Sequence, residues 1–364
     1  MRNVARSPGI AGGGRGWLGQ VVLPYWRHVG EWNARGQSGV AMLRRMRTVL
    51  NPRRGVRALR SRLADALGVG RRREYAIAIW GGEHPCSLRP RSGTTRPALT
   101  RRDVRDVPAA YVADPFLVRQ ADGWYLFFEV LRADTGRGEI AVARSHDLKR
   151  WSYLGVALTD DVHLSYPHVF VHDGTPYLIP ETHEAHEVRL YRASSFPLRW
   201  ECVGTIIAGA PFVDATTVHH DGRWYLFVGT VPHGDFRQRD LRLFHADRLT
   251  GPWLEHPASP IVQGDGRVAR PAGGVVSHPE GLLRFVQDCR VTYGHQVFAF
   301  VVEELGPSTY RERPYAAEPI VGPGSFNWNR GGMHHVDAHR VGDEWVGAVD
   351  GWAQRLARVT PSRR

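Results

Sequence analysis

Cysteine is scarce in this chain: the 364 residues contain only Cys86, Cys202 and Cys289. Three distant cysteines exclude a disulfide framework and the paired spacing of a zinc site. No apolar run reaches the roughly 18 residues that a membrane-spanning helix needs. The N-terminus also lacks the charged start, apolar stretch and small-residue cleavage site of a secretory signal. These absences predict a protein of the reducing cytoplasm.

Lysine is almost absent as well, since Lys149 is the single lysine of the chain. Residues 1–73 hold sixteen arginines against Glu31 and Asp65, a net charge of +14, while the whole chain carries +12. The remainder is therefore slightly acidic, at −2. The excess positive charge therefore lies in residues 1–73 and not in the folded domain. The near-exclusive use of arginine is better explained by genome composition than by phosphate recognition. For both reasons we predict no nucleic-acid partner.

The Arg-rich leader, residues 1–73, is predicted to be disordered with one or two amphipathic helices. The stretch "RGVRALRSRLADALGVG" (54–70) has arginines on one helical face, and its apolar residues recur at helical spacing on the other: Val56, Leu59, Leu63 and Leu67. Such a helix binds an anionic membrane surface or a partner protein, or it packs on its own domain. Peripheral membrane or protein contact through the leader is thus one of two open alternatives. Residues 359–364 form a short basic tail.

Five hairpin-like segments recur between these ends, each with a polar residue, a β-rich run, a turn and a second β-rich run. They are "ADPFLVRQADGWYLFFE" (113–129), "SYPHVFVHDGTPYLIPE" (165–181), "VDATTVHHDGRWYLFVGT" (213–230), "RPAGGVVSHPEGLLRFVQD" (270–288) and "MHHVDAHRVGDEWVGAVDG" (333–351). A period of about 50 residues is typical of propeller blades. We therefore predict an all-β, five-bladed β-propeller over residues 74–358. A β-sandwich fits less well, because its strands do not recur as a four-strand unit.

Equivalent positions at the start of the first strand of each blade should form a ring around the central axis. In register, these positions are Asp114, Tyr166, Asp214, Arg270 and His335. The ends of the second strands add Glu129, Glu181 and Asp288. Carboxylates around a funnel suit sugars, whose hydroxyls need acceptors and whose glycosidic chemistry needs an acid and a base. The alternatives are that an Asp before Pro only caps a turn and that Glu129 only pairs with an arginine at the rim.

Two resemblances follow from these residues. The five-hairpin order, with "ADP", "YP", "VDA" and "HH" in blades one, two, three and five, resembles glycoside hydrolase family 43. Residues 75–351 resemble more closely the N-terminal domain of glucosamine inositolphosphorylceramide transferases and their stand-alone bacterial relatives. The matching stretches are "VADPF", "HLSYPHVF", "IPE", "LYRASSFPLRW", "RPAGG", "QDCRVTYG" and "MHHVDAH". The resemblance implies the propeller fold and a sugar or glycoconjugate substrate.

The family 43 resemblance implies that Asp114 is the general base and Asp214 the acid that tunes the proton donor, with His334 or His335 at the base of the pocket. The sequence departs from that pattern in blade four. Where the hydrolases place a Glu before Pro, this chain has Arg270, and an arginine cannot protonate a leaving oxygen at neutral pH. Either Glu181 takes that role, or the leaving group is a phosphate that needs no proton donor and is bound by arginine.

Three hypotheses stand on these residues: transfer of a phosphate-activated or anionic sugar, hydrolysis of the family 43 type, and glycan binding without catalysis. In transfer, Asp114 or Asp214 deprotonates the acceptor hydroxyl; in hydrolysis, Asp114 is the base, Glu181 the acid and Asp214 the residue that tunes it. In the binding hypothesis the ring recognises a sugar without a workable acid–base pair. The candidate catalytic residues are therefore Asp114, Asp214 and Glu181. The candidate substrate-binding residues are Tyr166, Arg270, Asp288, His334, His335 and Trp328. Trp328, in the Gly-rich "GSFNWNRGG", either stacks on a sugar face or packs between blades. We predict no cofactor and no metal site, since "HEAHE" (183–187) lacks the helical His-Glu-x-x-His order of a zinc site. A cation in the central channel stays an open alternative that nothing in the sequence demands.

Overall fold

The computed structural model describes residues 69–91, 95–231 and 239–358. The leader up to residue 68, with the leucines of its predicted helix, and the basic tail lie outside the described residues, so what the sequence predicts for them stays a prediction. Within the described ranges, no helix combines the length and the apolarity needed to cross a membrane.

The described residues form β-strands grouped into five antiparallel sheets, as the sequence predicts for five blades. The first two strands are β1 (Val69–Gly82) and β2 (Arg89–Pro90). Blade 1 follows with β3 (Ala109–Gln120), β4 (Gly123–Arg132), β5 (Gly138–Ser145) and β6 (Ser152–Leu158). Blade 2 contains β7 (Ser165–His172), β8 (Thr175–Glu181), β9 (Glu187–Ser195) and β10 (Arg199–Ala208), with a 3-10 turn at His183–Ala185.

The remaining strands complete blades 3, 4 and 5. Blade 3 contains β11 (Val213–His220), β12 (Arg223–Thr230), β13 (Asp240–Ala246) and β14 (Leu254–Glu255). Blade 4 contains β15 (Arg270–Pro271), β16 (Val276–His278), β17 (Gly281–Asp288), β18 (Gln296–Leu305) and β19 (Tyr310–Pro314). Blade 5 is made of β20 (Val336–Val341) and β21 (Glu344–Arg358), joined by β1 and β2 in the order β2-β1-β21-β20.

Blade 5 closes the ring by pairing the two ends of the domain, because β1 lies beside β21 in one sheet. The hairpin 333–351 identifies only the two inner strands of that blade. Its outer strands come from the opposite end of the domain, a non-local pairing that no local pattern announces. Closure of this kind removes the sheet edge that an incomplete blade would expose.

The inner hairpins turn where the Asp-Gly pairs predict. Asp173 and Gly174 both have left-handed φ, 48° and 73°, and Asp221 and Gly222 repeat this with 48° and 75°. A two-residue type I′ hairpin needs positive φ at both central positions, which Asp and Gly tolerate best. The core lies between the blades, in five apolar clusters that fill the five interfaces. Phe116 of blade 1 against Tyr166 and Leu178 of blade 2 is one example.

Candidate functional site

A backbone irregularity shared by blades 1, 2 and 3 presents the first three ring residues. The innermost ladder of each blade skips a position, between Ala113 and Phe116, between Ser165 and His168, and between Val213 and Thr216. The first skipped residue has left-handed φ in every case: 53° for Asp114, 45° for Tyr166 and 53° for Asp214. Such φ values are uncommon for residues other than glycine and concentrate at functional sites. The predicted register of these three residues therefore corresponds to one repeated bulge.

Carboxylates of the preceding blade hold each bulge in place. The backbone N–H of Asp114 donates to Asp350 at 2.9 Å, that of Tyr166 to Asp114 at 3.3 Å, and that of Asp214 to Glu181 at 3.1 Å. Sequence reasoning missed Asp350, which lies near the end of the blade 5 hairpin segment 333–351, as Glu129 and Glu181 lie at the ends of segments 113–129 and 165–181. A comparison of hairpin ends would have found it.

Arg270 points into the ring and pairs with two of its carboxylates. Its Nε and Nη2 both donate to Asp214, with Nη2 3.0 Å from Oδ1, and Nη2 lies 3.5 Å from Glu181. The Gln287 side-chain amide adds a third donor to Asp214 at 3.0 Å. Arg270 is 4% exposed and Asp214 1% exposed, so this is a buried, charge-assisted pair.

Two histidines complete the ring from blade 5. His334 Nδ1 lies 2.9 Å from Asp350 and 3.8 Å from Asp114, and His335 Nδ1 lies 4.0 Å from Asp114. The His335 ring packs edge-on against Tyr166, with centroids 5.4 Å apart. Burial lowers the pKa of His335 to about 4, so this imidazole is neutral.

Two carboxyl groups of the ring, those of Asp114 and Glu181, differ in pKa. Burial, reinforced by the charges of Glu129, Asp350 and Asp214, raises the pKa of Asp114 well above its usual value. Burial also opposes ionisation of Glu181, but the hydrogen bond and charge of His183, 2.8 Å away, hold the pKa of Glu181 well below its usual range. Of these two ring carboxyls, Asp114 therefore holds a proton more readily and Glu181 ionises more readily.

Asp214 experiences two opposed influences. Burial raises its pKa to about 8, against the lowering effect of the Arg270 charge. The same carboxylate accepts hydrogen bonds from two nitrogens of Arg270 and from Gln287. Because all three contacts come from donors, we assign Asp214 as the ionised partner of Arg270 in the ligand-free protein.

Three of the residues named from the sequence have their contacts outside the Arg270–Asp214 pair: Glu129, Asp288 and Trp328. Glu129 contacts the Tyr111 hydroxyl at 3.5 Å and His163 at 3.4 Å. Asp288 lies one residue beyond Gln287, and its carboxylate accepts from Arg290 and Gln296. Because successive strand residues face opposite sides, Gln287 is the residue that contacts Asp214. Trp328 is 6% exposed and belongs to the apolar cluster between blades 4 and 5. It also lines a cavity of about 960 Å³, whose other walls come from blade 5 and from Leu148 and Lys149 of blade 1.

Two groups within the described part of the chain have the donor types of a metal site. Asp114, His334 and Asp350 place one ligand atom each within 4.8 Å of one another inside the ring. A second group, formed by His84, His278 and Glu280, does so near the surface. In that second group both Nδ1 atoms accept backbone N–H bonds, from Cys86 and from Glu280. A neutral imidazole in that state carries its proton on Nε2, which leaves no lone pair there for a metal.

The similarity to known proteins covers the whole propeller. Residues 73–352 match the family model described as glucosamine inositolphosphorylceramide transferase 1, N-terminal. The protein named glucosamine inositolphosphorylceramide transferase 1 in Oryza sativa subsp. japonica is 36% identical over 313 residues, which are 80% of this chain and 42% of that protein. The protein of the same name in Arabidopsis thaliana is 34% identical over 298 residues, 76% of this chain and 39% of that protein.

This chain thus spans about two fifths of the length of the curated relatives it matches. Among solved structures, the exo-beta-1,3-galactanase from Clostridium thermocellum superposes with a TM-score of 0.50 at 14% identity, over 67% of this chain and 60% of that one. That likeness concerns the fold. Since the family model matches residues 73–352, the chain belongs to the family of glucosamine inositolphosphorylceramide transferase 1 N-terminal domains.

Proposed function

We propose that the ring is the site of a carbohydrate-active enzyme that transfers a phosphate-activated or otherwise anionic sugar to an acceptor hydroxyl. The observation that carries the proposal is Arg270, a buried cation between Asp214 and Glu181. An arginine at this position suits a phosphate, which it binds through two nitrogens. The names of the plant relatives, which describe transfer of glucosamine to inositolphosphorylceramide, agree with such a substrate pair.

Donor binding would act on Asp214 through Arg270. In the ligand-free protein Arg270 donates to Asp214, and its charge lowers the affinity of the carboxylate for a proton, against the effect of burial. A donor phosphate competes for the same guanidinium. When Arg270 turns to the phosphate, Asp214 loses its cation while it stays buried, and its affinity for a proton rises. Binding of the donor thereby prepares the base.

The proposed reaction moves the sugar from its phosphate to the acceptor hydroxyl. The acceptor hydroxyl gives its proton to Asp214 and its oxygen forms a bond to the anomeric carbon, while the bond from that carbon to the phosphate oxygen breaks. The phosphate leaves with the bonding electron pair and remains paired with Arg270. Asp114, which starts protonated, donates a hydrogen bond to a sugar oxygen. The base is therefore Asp214 in this proposal, and not Asp114 as the family 43 resemblance implies.

Glycoside hydrolysis is the second candidate, and one observation favours it. The pKa of Asp114 is raised and that of Glu181 is lowered, and glycosidases use such a divergence of two carboxyl groups to obtain an acid and a base. In that case Asp114 would be the acid and would protonate the leaving oxygen. Hydrolysis needs no anionic group on the substrate, and this separates it from transfer.

The test is incubation of the full chain with UDP-glucosamine or UDP-N-acetylglucosamine and vesicles that contain inositolphosphorylceramide, followed by mass spectrometry of the lipid. We expect the lipid to gain one sugar mass. Arg270→Lys should weaken donor binding by about one to two orders of magnitude, and Asp214→Asn should slow turnover by about 10²–10⁴. Arg267→Lys and Asp265→Asn, from a neighbouring ion pair outside the ring, are the matched controls.

Two results would contradict transfer. Release of nitrophenol from 4-nitrophenyl glycosides in the absence of nucleotide sugar would assign the ring to hydrolysis. Sugar binding without any turnover would assign it to glycan recognition.

A further inference from the structure

Residues 289–295, which we call the roof loop, connect β17 to β18 in blade 4 and run beside the ring. Backbone hydrogen bonds fix both ends of the loop: Cys289 N donates to Gly266 O at 3.1 Å, and Met333 N donates to His295 O at 3.2 Å. The Trp352 indole N–H also donates to Gly294 O at 2.8 Å. The roof loop is therefore attached to blade 5 as well as to blade 4.

Gly294 shows how closely the roof loop approaches the ring. It has a left-handed φ of 68°, and a Cβ at this position would lie 2.7 Å from Cδ2 of His334. A side chain here would collide with the His334 ring, so the close approach requires glycine. The neighbouring Tyr293 is consequently held directly beside the ring residues.

Tyr293 covers two of those residues. The centre of its aromatic ring lies 5.1 Å from the guanidinium carbon of Arg270 and 5.5 Å from the ring centre of His334. Arg270 and His334 are only 4% and 2% exposed, whereas Tyr293 is half-buried. Tyr293 is thus the most exposed of these three residues and lies against the Arg270 guanidinium.

Arg73, from β1, holds Tyr293 in this place. Its guanidinium donates to Tyr293 O at 3.0 Å and to the Thr292 hydroxyl at 2.5 Å. The guanidinium carbon also lies 4.2 Å from the centre of the Trp352 ring. Arg73 belongs to blade 5, so a single side chain joins the closing blade to the loop that carries Tyr293.

We infer that Tyr293 is the aromatic surface on which the substrate sugar stacks above Arg270, and that Arg73 is the positioning residue that keeps it there. The C–H groups on one face of a sugar ring pack well on an aromatic ring, while the hydroxyls at its edge stay free for the carboxylates. This inference rests on the proposed carbohydrate function. It assigns a specificity-determining contact that neither the carboxylates nor Arg270 provide.

Isothermal titration calorimetry with UDP-glucosamine and UDP-N-acetylglucosamine tests the inference on the full chain. We expect Tyr293→Phe to keep the affinity within about twofold, because the aromatic face remains, and Tyr293→Ala to lose about tenfold. Arg73→Ala should weaken binding by a smaller factor, and Arg73→Lys should restore part of the loss. Thermal unfolding of each variant verifies the fold. Tyr177→Ala removes another half-buried tyrosine, near the Asp173–Gly174 turn, and is the matched control.

Each alternative result has a definite meaning. If Tyr293→Ala binds as well as the unaltered chain or more tightly, Tyr293 is no platform and the inference fails while the proposed function stands. If Tyr293→Phe loses as much as Tyr293→Ala, the hydroxyl and not the aromatic face is responsible, and the stacking assignment is wrong. If the unaltered chain binds no sugar nucleotide, the proposed function and this inference fail together.

Discussion

Blades 3 and 4 stand side by side around the ring and bring opposite charges to it. Blade 3 presents Asp214 on a bulge with a left-handed φ of 53°. Blade 4 presents Arg270 on the two-residue strand β15, in ordinary pairing with Gln287, and its inner strand resumes only at β16. The same position in the fold therefore carries an acidic residue in one blade and a basic residue in the next.

The difference shows how a repeated scaffold acquires an asymmetric site. Blades 1 to 3 repeat one bulge, which concentrates side chains at the axis and places several carboxyls near one another. Blade 4 lacks a carboxylate at that place and supplies the cation that two of the carboxylates require. Its interrupted strand also lets the backbone of Gly273 bond with the Tyr166 hydroxyl across the ring, at 2.7 Å and 3.1 Å.

Removal of the cation should produce the largest effect. Arg270→Met leaves Asp214 and Glu181 buried without their shared partner, and loss of one side of a buried ion pair costs about 3–5 kcal/mol of unfolding free energy. Urea denaturation at neutral pH measures the loss. Arg267→Met removes an exposed arginine three residues earlier and should change stability by less than about 0.5 kcal/mol. A loss below about 1 kcal/mol for Arg270→Met would contradict the assignment of a buried pair.

The broken inner strand of blade 4 can be tested at Gly273. Its φ is 133°, and a Cβ there would lie 1.9 Å from the carbonyl oxygen of Val336, so Gly273→Ala must shift backbone. We expect a loss of about 2–3 kcal/mol in unfolding free energy. Gly174→Ala is the control, because Gly174 also has positive φ, 73°, but nothing lies within 4 Å of the added methyl. The control should cost only the strain of the left-handed conformation, about 1 kcal/mol.

Asp114 predicts a pH dependence of moderate size. Burial raises its pKa, so the folded protein retains a proton that the unfolded chain releases above about pH 4. Stability contributed by this group is therefore lost as pH rises from about 4 toward the folded pKa. Asp114→Asn cannot titrate, so its stability should not fall for this reason. As pH rises, its unfolding free energy should increase relative to that of the unaltered chain by up to about 1.4 kcal/mol per pH unit.

Urea unfolding at several pH values between about 4 and 8 measures this gain. Asp173→Asn, which removes a carboxyl group at an exposed hairpin turn, serves as the control for the general effect of one lost charge. A difference between Asp114→Asn and the unaltered chain that stays constant across this range would show that Asp114 is ionised in the folded protein.

The fold was predictable because its signals are local and repeated. Turns that contain glycine, as Asp-Gly pairs in blades 1 to 3, recur between β-rich runs, and each hairpin marks one blade. Closure of the ring was not predictable in the same way, since β1 pairs with β21 across the whole domain. Nothing within "REYAIAIW" (73–80) indicates which strand it pairs with.

The positions of the residues in the candidate site were predictable, but their side-chain contacts were not. Equivalent hairpin positions identify Asp114, Tyr166 and Asp214, because the bulge recurs with the repeat. The pairing of Arg270 with both Asp214 and Glu181 depends on side-chain conformation and burial, which sequence spacing does not contain. Whether Gln287 or Asp288 faces the ring depends on strand register, because a shift of one residue exchanges the two faces of the strand.

Gln287 and Asp288 are neighbours in β17, and substitutions at these two residues give the last and smallest predicted effect. Asp288 is buried and accepts hydrogen bonds from Arg290 and Gln296, and Asp288→Asn replaces one acceptor oxygen by a donor, so it should cost about 1.5 kcal/mol in unfolding free energy. It should leave sugar-nucleotide affinity unchanged. Gln287→Leu removes a donor from Asp214 and should weaken that affinity, because Arg270 then remains the principal partner of the carboxylate and is less free to bind a phosphate. Calorimetric titration of both variants compares them directly. If Asp288→Asn weakens binding more than Gln287→Leu, the face of β17 that meets the substrate has been assigned to the wrong residue.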